Sequence, residues 1–327
     1  MKILLRTTVT FAAVGLLAAC NNTTVTQNTS TATSSSSSSS ASSGSSSSGG
    51  STSSSTSSAP SSTSTSAPSA GSKVSGDTIA GQIRTGIQGQ AGVKFKEGRR
   101  DASGNLRTST TGTANGEFAI KDPLTGKYND TSSRMENTVV IDGVAYGYYR
   151  NAKMWVKAGD NPSALELSFK TAYTAQLCKL DPRVVAEMVA GGQGESKGEA
   201  DVDGVKATHY AVTNTVAQLM QKQVNGMKQH GCDVLAVPSN QTSYDSTIKR
   251  DGTKSYTLDV YLDPHGKLVR YDEPTGGTST SRTSITYTDW GATVNPTAPA
   301  DAKTFDEARS KATGSGSASP TSGSSAA

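Results

Sequence analysis

The stretch NTVVIDGVAYGYYRNAKMWVKAG, residues 137–159, decides how this chain folds. Asp142-Gly143 sits between two runs of β-branched and aromatic residues. A two-residue hairpin loop of type I′ needs positive φ at both central positions, and Asp-Gly tolerates this. The stretch therefore predicts a hairpin. Arg150-Asn151-Ala152-Lys153 reads as the next turn, and Trp155 and Val156 begin another strand.

The same pattern recurs on either side of this stretch. GEADVDGVKATHYAVTN repeats the hairpin signal at Asp203-Gly204. In SYTLDVYLDPHGKLVRYDE, Tyr256, Leu258, Val260 and Leu262 share one side, and Thr257, Asp259 and Tyr261 the other. Asp263-Pro264-His265-Gly266 is the turn. Ile285 and Tyr287 alternate with polar residues in SITYTDWG. Upstream, GVKFKEGRRDASGNLRTSTTGTANGEFAIKD reads as short strands. Val93 and Phe95 lie on one face, Phe118 and Ile120 on another, and turns are expected at Ser103-Gly104-Asn105 and Asn115-Gly116. Half-polar strands imply an antiparallel sheet with one solvated face.

Helices must cover the other face. Ile79, Ile83 and Ile87 recur every four residues after an N-cap candidate, Asp77. Leu165, Phe169, Tyr173 and Leu177 form a second stripe ending beside Cys178. DPRVVAEMVAGG is a shorter helix, started by Asp181-Pro182 and stopped by Gly191-Gly192. Val216, Leu219, Met220, Val224 and Met227 mark a fourth. The fold class expected is α+β, an antiparallel sheet covered by three to four helices.

The ends of the chain are different in kind. Residues 1–20 carry Lys2 and Arg6, an apolar stretch from Val9 to Leu17, then small residues up to Cys20. This is the layout of a secretory signal peptide, and the apolar run is too short for a transmembrane helix. Residues 21–72 hold no charged or aromatic residue and have too little apolar surface to offset their ordering entropy. They read as a Ser/Thr/Gly linker of roughly 40 Å root-mean-square span, with candidate O-glycosylation sites. The expected organisation is a signal peptide over 1–19, a linker over 20–72, one domain over 73–310 and a low-complexity tail over 311–327.

The formal net charge of +4 misleads about the domain. Lys2, Arg6 and Lys311 lie outside it, which leaves 28 basic and 27 acidic residues inside. That balance lacks the footprint of a nucleic-acid binder. The chain has three cysteines. With Cys20 set apart, Cys178 and Cys232 remain as an even pair in an exported domain, and a disulfide between them is expected. Two separate buried thiols are the alternative.

Leu17-Ala18-Ala19-Cys20 resembles the bacterial lipobox, in which the cysteine thiol receives a diacylglyceryl group and the signal is then cut before it. VVIDGVAYGYYRNAKMWVK, ADVDGVKATHYAV, LDVYLDPHGKLVRY and YTDWGATVNPTAPADA occur in this order. Together they resemble the LppX/LprAFG lipoproteins of actinobacteria, which are similar to the LolA/LolB carriers. The resemblance implies a half-barrel sheet closed by helices, and an apolar cavity that binds or carries a lipid or glycolipid ligand. It implies a lipid-anchored protein on the extracytoplasmic face of the cell membrane, with neither catalysis nor a cofactor. Cavity candidates are Phe169, Tyr173, Leu219, Met220, Tyr256, Leu258, Val260 and Ile285. An ordinary filled core is the other role open to each of them. The long serine linker and the polar segment SNQTSYDSTIKRDG depart from the family's usual pattern.

Catalytic constellations are missing from the sequence. His209, His230 and His265 are widely separated, with no HExxH or HxxxH arrangement. GGQGESKG has neither the GxSxG order nor the Walker A spacing. Asp142 and Asp203 are explained by their turns, and core packing accounts for Trp155 and Trp290 more simply than ligand contact. The alternative to a lipid binder is an envelope sensor or accessory binding module on the same scaffold without lipid cargo.

Overall fold

The structure is a computed structural model and describes residues 68–101, 114–130, 137–149, 153–158, 162–274, 282–305, 307–308 and 310. Residues 1–67 with Cys20, the turn expected at Ser103-Gly104-Asn105, Arg150 to Ala152 of the next turn, and the tail after 310 lie outside these.

The described strands form one sheet of 13. In chain order they are β1 (Lys73–Ser75), β2 (Gly92–Arg100), β3 (Ala114–Ala119), β4 (Gly126–Asp130), β5 (Asn137–Ile141), β6 (Val144–Tyr149), β7 (Met154–Lys157), β8 (Gln193–Val202), β9 (Val205–Thr215), β10 (Ser255–Leu262), β11 (Leu268–Pro274), β12 (Arg282–Thr288) and β13 (Lys303–Thr304). Their order in space is β1-β8-β9-β10-β11-β12-β2-β3-β4-β5-β6-β7-β13. Every neighbouring pair is antiparallel except β7 with β13. The sheet is open, with β1 and β13 as its edges. Pairing of β12 with β2 joins the C-terminal strands to the meander β2–β7.

Both Asp-Gly signals form two-residue hairpins. Asp142 and Gly143 have φ of 48° and 79°, and Asp203 and Gly204 have 52° and 87°. Asn115-Gly116 is not a turn: it lies inside β3, where Gly116 pairs with Phe95 on one side and Tyr128 on the other. The Phe95 ring covers the glycine, and a Cβ there would meet ring carbon Cζ at 2.6 Å. Here Gly serves close approach rather than reversal. Val93 pairs with Phe118, so these two and Phe95 share a single face.

Among the described residues five α-helices accompany the sheet: α1 (Gly76–Ile87), α2 (Ala164–Cys178), α3 (Pro182–Val189), α4 (Val216–Gln229) and α5 (Pro238–Asp251). The cap of α1 is Ser75, not Asp77; Ser75 Oγ accepts from the Thr78 N–H at 3.1 Å. Asp77 instead accepts from the Gly191 N–H at 2.9 Å, which ties α1 to the end of α3. Ser163 with Glu166 and Thr215 with Gln218 form reciprocal capping boxes on α2 and α4. Asp181 caps α3 ahead of Pro182.

The cover falls into two layers. α2 packs on β4 and β6, while α1, α3 and α4 pack side by side over β8–β11. The turn Lys179 to Asp181 crosses the middle strands between them: the Tyr271 and Tyr287 hydroxyls donate to the carbonyls of Lys179 and Leu180. α5 leans on α4 and buries only Tyr244, Thr247 and Asp251.

Cys178, at the end of α2, forms a disulfide with Cys232, just past α4. The bond joins the two layers where they meet.

Candidate ligand-binding face

The candidate face is the side of the sheet that the helices cover. Paired residues on neighbouring antiparallel strands point the same way. Val260, Tyr271, Ile285 and Glu97 therefore form one row across β10, β11, β12 and β2. Val260, Tyr271 and Ile285 are almost wholly buried.

All eight cavity candidates belong to one continuous apolar cluster, Tyr256 at its margin. They divide between the two layers. Phe169 and Tyr173 stand on α2 with ring centroids 4.3 Å apart, and Phe169 also meets Phe305 at 5.3 Å. Tyr173 lies flat against β6 at Gly147, where a Cβ would approach its ring at 2.2 Å. Burial pushes its phenol far up. Leu219 and Met220 belong to α4, which packs on β9 and β10, the latter carrying Leu258 and Val260. Six strands separate β10 from β6 in the sheet, and Ile285 stands between the two groups. Tyr256 is partly buried and its hydroxyl donates to the Pro274 carbonyl at 2.9 Å.

Three charged residues on this face escaped the sequence reading. Glu97 accepts from the Tyr128 hydroxyl at 3.0 Å and faces the Lys179 ammonium at 3.6 Å. Glu273 follows Tyr271 by two residues, hence on the same face, and is only 8% exposed. Burial, aided by the Glu97 charge and opposed by Lys179, pushes its carboxyl up to about 7. Burial also holds the Tyr271 and Tyr287 phenols well above their ordinary range. A signal was present: Val93-Phe95-Glu97 and Tyr271-Glu273 both continue the inner alternation.

The outer face carries a different network. Asp259 takes both His209, at 2.9 Å, and Arg282. Tyr261 stacks between the His209 ring at 4.4 Å and the Arg270 guanidinium at 3.8 Å. His230 pairs with Asp122, and His265 lies in its turn with its N–H donated to Asp263. Trp155 packs edge-on to Tyr148, and Trp290 against Tyr287. Among the described residues no cluster of three or more His, Cys, Asp or Glu could hold a metal, and no helix is long and apolar enough to cross a membrane.

Fold and face together define an open antiparallel shell with a helix-covered apolar inner surface and a few buried charges. No family profile matches the chain. A curated relative, an uncharacterized 31.2 kDa protein from the rplA-rplJ intergenic region of Streptomyces griseus, is 31% identical over 123 residues, which is 37% of each chain. The match thus spans little more than a third of that relative's length. Similar solved structures include the lipoprotein LppX of Mycobacterium tuberculosis, at 15% identity and a TM-score of 0.40, covering 67% of this chain and 97% of that one. LprF of Mycobacterium bovis is similar at 15% identity and a TM-score of 0.41, covering 70% and 97%. These two belong to the group that the sequence resembles.

Proposed function

We propose that this chain is a membrane-anchored extracytoplasmic lipoprotein that binds acylated lipid between its sheet and its helices, without catalysing a reaction. The observation that carries the reading is the division of the helical cover into two layers over one continuous apolar face. A filled core needs no such division. Two layers pinned together at Cys178–Cys232 would part only along the rest of their seam, and acyl chains would enter there. Phe169 and Tyr173 would line one side, Leu219, Met220, Tyr256, Leu258 and Val260 the other, with Ile285 between. Methionine at 220 suits an adaptable wall. Cys20 would carry the diacylglyceryl anchor, and residues 21–72 would be the tether.

Native mass spectrometry of the full chain purified from an actinobacterial host tests the cargo. A lipid-sized mass released on denaturation is expected. A bare polypeptide mass, with no uptake from added lipid, would instead favour a sensor or accessory module on this scaffold. Cys20→Ala tests the anchor: the protein should move from the membrane fraction to the soluble fraction. Retention in the membrane would overturn the assignment.

A further inference from the structure

We propose that the outer face of β5–β7, the side away from the helices, docks the domain on an anionic lipid surface, an inference that rests on the membrane-anchored reading above. These strands come from the stretch 137–159, and both of their faces are apolar. Inward, Val140, Ala145 and Val156 are wholly buried. Outward stand Val139 and Ile141 on β5, Val144, Tyr146 and Tyr148 on β6, and Trp155 on β7. Pairing of Val139 with Tyr146, Ile141 with Val144 and Tyr148 with Trp155 puts all six on one side.

None of the six belongs to a buried apolar cluster, and each is half-buried or exposed. Core packing, the role expected for Trp155, falls instead to its neighbours Met154 and Val156, while Trp155 packs on Tyr148 outside the core. Over β10–β12 the same outer face is polar and carries Asp259, Asp272 and Ser284 in one row. The apolar character is thus local to the end of the sheet that holds β5–β7. A solvated sheet face alternates to polar residues, and a contiguous exposed apolar patch marks an interaction site.

The composition of the patch points to its occupant. Tyrosine and tryptophan join an apolar ring to a polar edge and settle at the boundary between headgroups and acyl chains. Val139, Ile141 and Val144 offer a glycan no hydrogen bond. Lys127 pairs with Val139 and Lys157 with Tyr146 in the ladder, so both ammonium groups flank the patch on its own side. Around it, among the described residues, Lys121, Lys127, Lys153, Lys157 and Lys303 stand against Glu117, Asp142 and Glu307. Two copies set face to face would bring lysine against lysine, whereas anionic headgroups answer the excess. A tether spanning roughly 40 Å keeps such a surface within reach of the domain.

The test uses the full chain purified from an actinobacterial host with Trp290→Phe, which leaves Trp155 as its sole tryptophan. It is placed on vesicles of phosphatidylcholine, alone or mixed with phosphatidylglycerol. Brominated acyl chains quench a ring that settles at the headgroup boundary. Trp155 emission should fall on the brominated mixed vesicles and hold on brominated phosphatidylcholine. Lys157→Gln should lower the ratio of docked to undocked chain about fivefold, the worth of one lysine beside an anionic leaflet. Tyr146→Ser should restore the emission while the chain still floats with the vesicles. Equal emission on the two vesicle types, in a chain that floats with both, overturns the docking face and leaves the anchor standing. A chain that floats with neither overturns the anchor and the docking together. A dimer in solution that Tyr146→Ser dissolves would assign the face to a second copy instead. Should Trp290→Phe fail to fold, an environment-sensitive dye on Val144→Cys reads the same contact, since Val144 is exposed beside its hairpin turn.

Discussion

A carboxyl on the inner face of a sheet must be protonated or answered by a partner. Glu273 is held up at about 7, against 4.5 in an unfolded chain, chiefly by burial. The folded state therefore binds its proton more tightly. The associated stability is full below the unfolded value and is lost as pH rises toward 7. Converted, the shift amounts to about 3 kcal/mol at most. Glu273→Gln removes the titration. The stability gap between variant and parent should thus widen in the variant's favour from about pH 4 to about pH 8, by up to about 3 kcal/mol. Denaturant titrations at the two pH values measure it, and a constant gap would show that Glu273 does not titrate in this window. Gly147 makes a second residue-scale prediction. Its missing Cβ is the space taken by Tyr173, so Gly147→Ala should cost about 1–3 kcal/mol, with Tyr173 displaced in a crystal structure of the variant. The alternation that buries Glu97 and Glu273 could be read in the sequence. That the Lys179 turn would cross above them could not, because it depends on where α2 ends over the sheet.

At the scale of elements, four helices announced themselves through apolar stripes, and the exception is informative. α5 has no such stripe. It starts at Pro238, ends at Gly252, and is held by polar pairs such as Gln241 with Asp245 and by the clamp of Arg250 and Lys254 on Asp251. Lys249 and Arg250 in its last turn also suit the helix dipole. A polar helix docked on another helix rather than on the sheet leaves little apolar periodicity to read. The cap of α1 was expected at Asp77 and is Ser75, and those of α2 and α4 were not picked out, although Ser163 with Glu166 and Thr215 with Gln218 each have the three-residue spacing of a capping box. Thr215→Ala removes the acceptor for the Gln218 N–H and should cost about 0.5–2 kcal/mol, seen as a lower urea midpoint at unchanged slope. An unchanged midpoint would mean that packing of α4 makes the cap redundant. Asn115-Gly116 is the opposite lesson. A strong turn dipeptide became mid-strand because Phe95 and Tyr128 needed a neighbour without a side chain.

At the scale of the whole molecule, the Cys178–Cys232 bond closes a loop across a sequence separation of 54 and fastens α2 to the layer of α1, α3 and α4. Chain entropy puts the stabilisation near 4 kcal/mol for such a loop. A double Cys178→Ser, Cys232→Ser variant should lose about that much, and reducing agent should lower the parent's thermal midpoint but not the variant's. Two free thiols in the non-reduced parent by mass mapping would overturn the bond. The pair was legible by counting once Cys20 was set apart; its role as the pin between two layers was not. The sequence by itself determined the hairpins at Asp142-Gly143 and Asp203-Gly204 and the four striped helices, since hairpin turns, two-residue alternation and four-residue stripes are local consequences of backbone geometry. It also determined which faces are apolar. Only the tertiary structure decided that β12 pairs with β2, that the helices divide into two layers, and that Glu97, Glu273 and Lys179 converge between them. Those contacts join residues far apart in the chain, so no local pattern encodes them, and burial energy selects them when the whole sheet forms.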